Sequence, residues 1–392
     1  MLLITIDSLR ADMPWTGYSR AIAPNLTDIA SKSVVYPRAY SVSSYTAKSV
    51  AALLSGQYPS SLYRTGTFFT GYSNANFFLP EALQQAGVRT LSAHAHLYFD
   101  PHKNLNQGFD VWELVKGLQF DAQTDNQITG DKLTDLAISI LQDPKNISGK
   151  FFAWFHYMDP HDKYFQHPES PKWGPNNRDR YDSEVFYTDL HLGRLLAFAK
   201  SQPWWNNTVL IVTADHGEAF GEHGMYKHAF ELWDVLTHVP LLIQVPGAAH
   251  RVIDERRSDI DVAPTIANLM GVPVPAQFAG RSLVPELFGG APQSHEPVVL
   301  DLPEDTNNPP RRAVLQGDYK LVVWGKGEHY QLFNLAQDAA EAQDLSAKEP
   351  AKLAELRTLF ESTWQKIPQV EPFGGAKLKS GKSANGPTGP KP

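Results

Sequence analysis

Four short apolar runs, 2–6, 151–155, 208–212 and 241–245, stand far apart in the chain, each bounded by polar or turn-forming residues. Runs of that length suit strands buried on both faces, and here they alternate with longer stretches of helical period. Residues 132–141 place Leu133, Leu136, Ile140 and Leu141 on one helix face; residues 184–199 carry Phe186, Leu190, Leu195, Leu196 and Phe198 in the same way. The alternation predicts an α/β fold with a mostly parallel central sheet flanked by helices. In such a fold, function gathers at the carboxyl ends of the strands.

This texture defines a first expected domain, 1–290. Beyond it, runs at 298–300, 312–315, 320–324 and 330–333 separated by Gly and Asn turns, then one amphipathic stretch at 351–364, predict a small antiparallel α+β subdomain, 291–370. Residues 371–392, rich in Gly, Pro, Lys and Ser, are expected to form a flexible tail.

At 42% apolar and 20% charged residues, the 392-residue chain affords a sizeable core, and its net charge of -7 argues against a nucleic-acid partner. Cysteine is absent, which excludes thiolate metal sites, disulfides and a cysteine nucleophile. No run is long enough for a membrane helix, and the start lacks the charged region of a signal peptide. The chain opens directly on a strand pattern. That start agrees equally with a compact terminus and with a missing preceding segment, a membrane anchor included, so a periplasmic or membrane-associated setting stays open.

Several residues could carry chemistry. Asp7 closes the first strand run, where a carboxylate either caps a turn or binds a cation. Asp215-His216 closes the run at 208–212 and its extension; an oxygen donor beside an imidazole suits Mn²⁺, Zn²⁺ or Mg²⁺. Thr46 stands among hydroxyls at the start of an apolar helix that stops at Gly56. It is either a cap or a nucleophile at the positive end of the helix dipole, with Lys48 adding charge beside an anion. The run at 151–155 ends in a polar cluster holding His156, His161 and Lys163, and His223, Lys227 and His228 follow Asp215 in a Gly-bounded loop.

Taken in order, Ile4-Thr-Ile-Asp7-Ser-Leu-Arg10-Ala-Asp12, Ala51-Ala-Leu-Leu-Ser-Gly56, His156-Tyr-Met-Asp-Pro-His161, Thr213-Ala-Asp-His-Gly-Glu218 and Ile260-Asp-Val-Ala-Pro-Thr265 resemble the sulfatase-like family of the alkaline phosphatase superfamily. The resemblance runs over roughly residues 1 to 365. Counted back from Leu53-Leu54-Ser55-Gly56, the position that family sulfatases oxidise to formylglycine is Thr46, with Lys48 in place of Pro and Val50 in place of Arg. Threonine cannot yield that aldehyde, but it is the nucleophile of relatives that cleave or transfer phosphoryl groups. The usual Asp-Asp pair reads Asp7-Ser8, and His216 replaces an amide ligand.

The resemblance implies that Asp7, Thr46, Asp215 and His216 hold one divalent metal ion, Mn²⁺ or Zn²⁺ ahead of Ca²⁺ or Mg²⁺. It further implies Thr46 as nucleophile, Lys48 and His161 on the non-bridging oxygens, and His228 as the acid for the leaving oxygen. The expected activity is metal-dependent hydrolysis or transfer of phosphate or phosphonate esters with a small-molecule, lipid or glycan organic part. A sulfatase working without formylglycine and a non-catalytic binding protein are the alternatives.

Overall fold

The computed structural model describes residues 1–119, 127–294 and 297–390. Along the large sheet the strands run in the order Arg251–Val252, Val34–Tyr40, His238–Gln244, Leu210–Ala214, Leu2–Ile6, Phe151–Tyr157, Arg89–His94 and Val111–Leu114, with Arg257–Ser258 also paired to Val34–Tyr40. Every pairing is parallel except the two made by His238–Gln244. The central strands Leu2–Ile6, Phe151–Tyr157 and Leu210–Ala214 are buried at every position, as unbroken apolar runs covered on both faces should be. Gly130–Gln142 and Asn177–Lys200 form the two helices expected from helical period.

A second sheet, Val298–Leu302, Arg311–Gln316, Tyr319–Trp324 and His329–Asn334, is an antiparallel meander. Its strands alternate strictly. Val314, Leu321 and Val323 point toward helix Pro350–Trp364, where they meet Leu356 and Phe360. Ala313, Leu315 and Val322 point the other way and share a core with Tyr45 and Ala47. The small sheet therefore braces the start of the helix that follows Tyr45. No helix among the described residues is long and apolar enough to cross a membrane.

The expectation of a flexible tail from 371 is corrected. Phe373 N–H donates to the Arg64 carbonyl at 2.9 Å, the Phe373 carbonyl accepts from Gly66 N–H at 3.1 Å, and Gly386 N–H donates to the Pro372 carbonyl. Leu378 and Ala384 are buried, and both close over the hydrogen face of Gly66, where any Cβ would collide with them. A segment this poor in apolar side chains cannot build a core, yet its backbone can pair with a ready-made loop.

Candidate active site

Strand Leu2–Ile6 lies between Leu210–Ala214 and Phe151–Tyr157, with Ile6 level with both Ala214 and Tyr157. Asp7 and Asp215 therefore leave the sheet side by side at its carboxyl edge. Ser8 turns there in the left-handed region, φ 57°. Its amide donates to Asp215 Oδ1 at 3.3 Å and its hydroxyl to Asp7 Oδ1 at 2.8 Å. The residue standing where a second family carboxylate would be is thus a donor to the first.

Thr46 opens the helix Thr46–Ser55, whose N-cap is Tyr45 and carries no side-chain cap bond. The Thr46 hydroxyl caps nothing. Its Oγ1 lies 3.1 Å from Asp7 Oδ2 and 3.1 Å from His216 Nε2. His216 Nδ1 is 3.0 Å from the Gly217 carbonyl, which can only accept; Nδ1 holds the proton and Nε2 presents its lone pair. Burial, then the neighbouring His228, push the His216 pKa down to about 3, so the ring is neutral.

Burial opposes charge on both carboxylates, with opposite outcomes. The surrounding imidazoles, with His156 hydrogen-bonded to it, hold Asp7 well below the usual carboxylate range. Burial and the Asp7 charge push Asp215 well above it. Asp215 Oδ2 has no hydrogen-bond partner, and Thr46 has one proton for two acceptors. His216 Nε2 stands 3.5 Å from Asp215 Oδ2 and 3.8 Å from Asp7 Oδ1. Ligands placed about 2.0–2.2 Å from one ion are themselves roughly 3–4 Å apart. Lone pairs converge on one buried point with too few protons to satisfy them, so the donor set fits a divalent cation.

His156, which sequence reading left without a role, joins this cluster: one ligand atom each from Asp7, His156 and Asp215 lies within 4.8 Å of the others. The hydrogen bonds around it assign it a different task. Trp154 Nε1–H donates to Thr5 Oγ1 at 2.8 Å, and Thr5 Oγ1 is 2.6 Å from His156 Nδ1. Indole only donates, and a Thr5 hydroxyl that donates in turn to Nδ1 places the His156 hydrogen on Nε2. His156 Nε2–H then faces Asp7 Oδ2 at 3.3 Å. In that tautomer it orients Asp7 rather than holding the ion. Thr5→Val should weaken Mn²⁺ or Zn²⁺ binding about 10- to 100-fold in calorimetric titration, with Thr5→Ser close to the parent protein. Undiminished affinity in Thr5→Val would contradict the relay.

His228 and His161 both border the cluster, their rings 4.9 Å apart, with His228 4.2 Å from His216. His228 Nδ1 is 3.1 Å from Glu218 Oε1. Burial disfavours its charge, but Glu218 outweighs it and raises the His228 pKa above its ordinary 6.5. His161 Nδ1 pairs with the Asp162 carbonyl at 2.7 Å, which leaves Nε2 for the cleft. His96 completes the imidazole wall, 6.4 Å from His161. Neither Glu218 nor His96 was singled out from sequence, although both follow strand ends, where functional groups gather.

Lys48 is not at the site as expected. Its ammonium pairs with Asp305 and reaches the Pro303 carbonyl at 3.3 Å, fully buried. It ties the nucleophile helix to the small sheet, because a lysine on that helix face meets the loop after Val298–Leu302. Asp159 is likewise structural: its carboxylate accepts from Thr129 and Gly130 amides at the start of helix Gly130–Gln142. A cavity of 620 Å³ lined by Met1, Phe151 and Val209 sits at the opposite, amino ends of the strands, away from this chemistry.

The family model described as Sulfatase matches residues 1–272, and that for the C-terminal region of N-sulphoglucosamine sulphohydrolase matches residues 221–367. Among curated proteins, the Delta 4,5-hexuronate-2-O-sulfatase of Bacteroides thetaiotaomicron is 30% identical over 207 residues, 49% of this chain and 43% of that protein. The match therefore spans less than half of that relative's length. Among solved structures, a 2-O GAG sulfatase superposes with TM-score 0.79 at 20% identity, covering 94% of this chain and 92% of the other. The phosphonate monoester hydrolase of Silicibacter pomeroyi gives 0.75 at 22%, covering 94% and 96%.

Proposed function

The chain belongs to the sulfatase family, and from that premise we propose that it is a metal-dependent hydrolase of phosphate or phosphonate esters that uses Thr46 as nucleophile. One observation carries the reading. A threonine hydroxyl, freed from capping, sits 3.1 Å from two acceptors in the cation-fitting cluster at a helix N-terminus. Asp7, Asp215, His216 and Thr46 would hold the ion.

Neither acceptor is a competent base, since Asp7 lies well below the carboxylate range and His216 near 3. An ion held by these residues would lower the pKa of the Thr46 hydroxyl, whose proton would pass to bulk water before the ester binds, and would neutralise charge beside it. The Thr46 oxygen attacks phosphorus in line and the bond to the leaving alcohol breaks, giving a phosphothreonine. His228, kept protonated by Glu218, gives its proton to the leaving oxygen. His161 and the first amides of helix Thr46–Ser55 face the non-bridging oxygens, where preorganised dipoles stabilise developing charge. Water then attacks phosphorus while neutral His228 takes its proton; an acceptor alcohol in the same place would make the reaction a transfer.

The names of the relatives favour a second reading, a sulfatase without formylglycine. Sulfated formylglycine releases sulfate by collapse of an aldehyde hydrate, a route closed to threonine. A sulfothreonine would need displacement at sulfur, whereas a phosphothreonine is hydrolysed by reversing one acid–base pair. With phosphate, phosphonate and sulfate esters of one leaving group and Mn²⁺ or Zn²⁺ present, we expect phosphorus esters to turn over faster. A sulfate ester outpacing all of them would overturn the phosphoester reading and leave the family in place.

A further inference from the structure

The rings around Thr46 form a continuous chain. His216 meets His228 at 4.2 Å, His228 meets His161 at 4.9 Å, and His161 meets His96 at 6.4 Å. His96 then packs on Tyr98 at 4.0 Å, and Tyr98 on Tyr45, the neighbour of Thr46, at 5.9 Å. Tyr45 stacks on Phe68 at 4.4 Å and Phe68 on Phe230 at 6.1 Å. Phe230 is two residues beyond His228, so the chain closes on itself. One half of this ring of side chains is imidazole and the other aromatic; in the second, Tyr45 is fully buried while Phe68, Tyr98 and Phe230 reach solvent.

We propose that this second half is the subsite for the organic group of the ester, and that it takes a flat, apolar, aryl-like alcohol rather than a polyanionic sugar. The inference rests on the ester-hydrolase reading above. Phe230 is 47% exposed, and Phe68, Phe69 and Tyr98 are half-buried, an apolar surface that costs solvation unless something covers it. Tyr98, Phe69 and Leu97 form the apolar side of a 280 Å³ cavity whose polar side is Asp100, His102 and Lys103.

Charge points the same way. A sugar bearing further sulfates or carboxylates needs cations that are free to meet them. Lys48 is held by Asp305, Arg311 by Glu231 beside Phe230, and Lys227 by Asp162 at 2.7 Å. These three cations bordering the aromatic half are paired with carboxylates of the fold, and Lys103 gives its ammonium to the Phe69 carbonyl at 3.0 Å. A flat ring, by contrast, finds aromatic partners in the exposed Phe230 and the half-buried Phe68, Phe69 and Tyr98.

Binding of three non-cleavable probes to the metal-loaded full chain tests this: 1-naphthylphosphonic acid, methylphosphonic acid and a sugar 6-phosphonate, each titrated by calorimetry. The naphthyl probe should bind about 10- to 100-fold more tightly than the methyl probe, as burial of one aryl group predicts. Phe230→Ala, at an exposed loop position, should shrink that ratio about tenfold, and Phe230→Trp should preserve it. Equal binding of naphthyl and methyl probes, tighter binding of the sugar, or a ratio untouched by Phe230→Ala would overturn the aryl subsite while sparing the hydrolase reading. Binding of none of the three would remove both.

Discussion

Thr46→Ala should lose about 10³-fold or more in turnover while the protein folds as before, the scale on which removing a nucleophile acts. The folding cost is small for a stated reason. Tyr45, not Thr46, is the N-cap, so no cap bond is lost, and alanine suits the first turn of a helix. The hydroxyl's two contacts are both with the cluster, at 3.1 Å to Asp7 and to His216. Thr46→Ser keeps the oxygen and should keep measurable activity. Circular dichroism and thermal unfolding of the alanine variant separate lost chemistry from lost fold. An alanine variant as active as its parent would transfer the attack to water and end the covalent mechanism.

The second large effect concerns the carboxylates. In the absence of a cation, Asp7 and Asp215 are buried with one unpartnered oxygen, and Asp215 is pushed well above the carboxylate range. A cation must therefore displace a proton from Asp215, so its affinity falls as pH falls. Bound to the folded chain alone, an ion at 100 times its Kd adds about 2.7 kcal/mol of stability. Mn²⁺ or Zn²⁺ should raise Tm and a chelator should lower it again.

Asp215→Asn then separates two contributions. It replaces a carboxyl whose ionisation the cation-free fold opposes with a neutral amide of the same shape, so that form should be as stable as the parent or more so. The gain in Tm on adding metal should vanish, and turnover should fall with it by about 10³-fold, as for loss of a central catalytic group. An Asp215→Asn protein that still gains the full metal-induced Tm would remove Asp215 from the ligand set.

Much of this was legible in the chain itself. Strand runs ending in Asp7 and Asp215 announce where carboxylates leave a sheet, because burial on both faces writes a continuous apolar run and the strand end is where polarity returns. The helix Thr46–Ser55 was legible as an apolar run that stops at Gly56, and the strands Arg311–Gln316 and Tyr319–Trp324 as short apolar runs between turn residues. What depends on pairing across the fold could not be read this way. Lys48 looked like an anion-binding lysine until the loop containing Asp305, 257 positions away, came to lie beside it. His156 is 149 positions from Asp7, and its tautomer is set by Thr5 and Trp154, which only the parallel register of two strands brings within reach. The tail reads as a linker by composition, yet its backbone pairs with the loop near Arg64 and Gly66. A local pattern records which face a residue turns to the core, and it carries no record of which distant side chain waits there; that partner, and the charge and proton each group then keeps, is decided by packing alone.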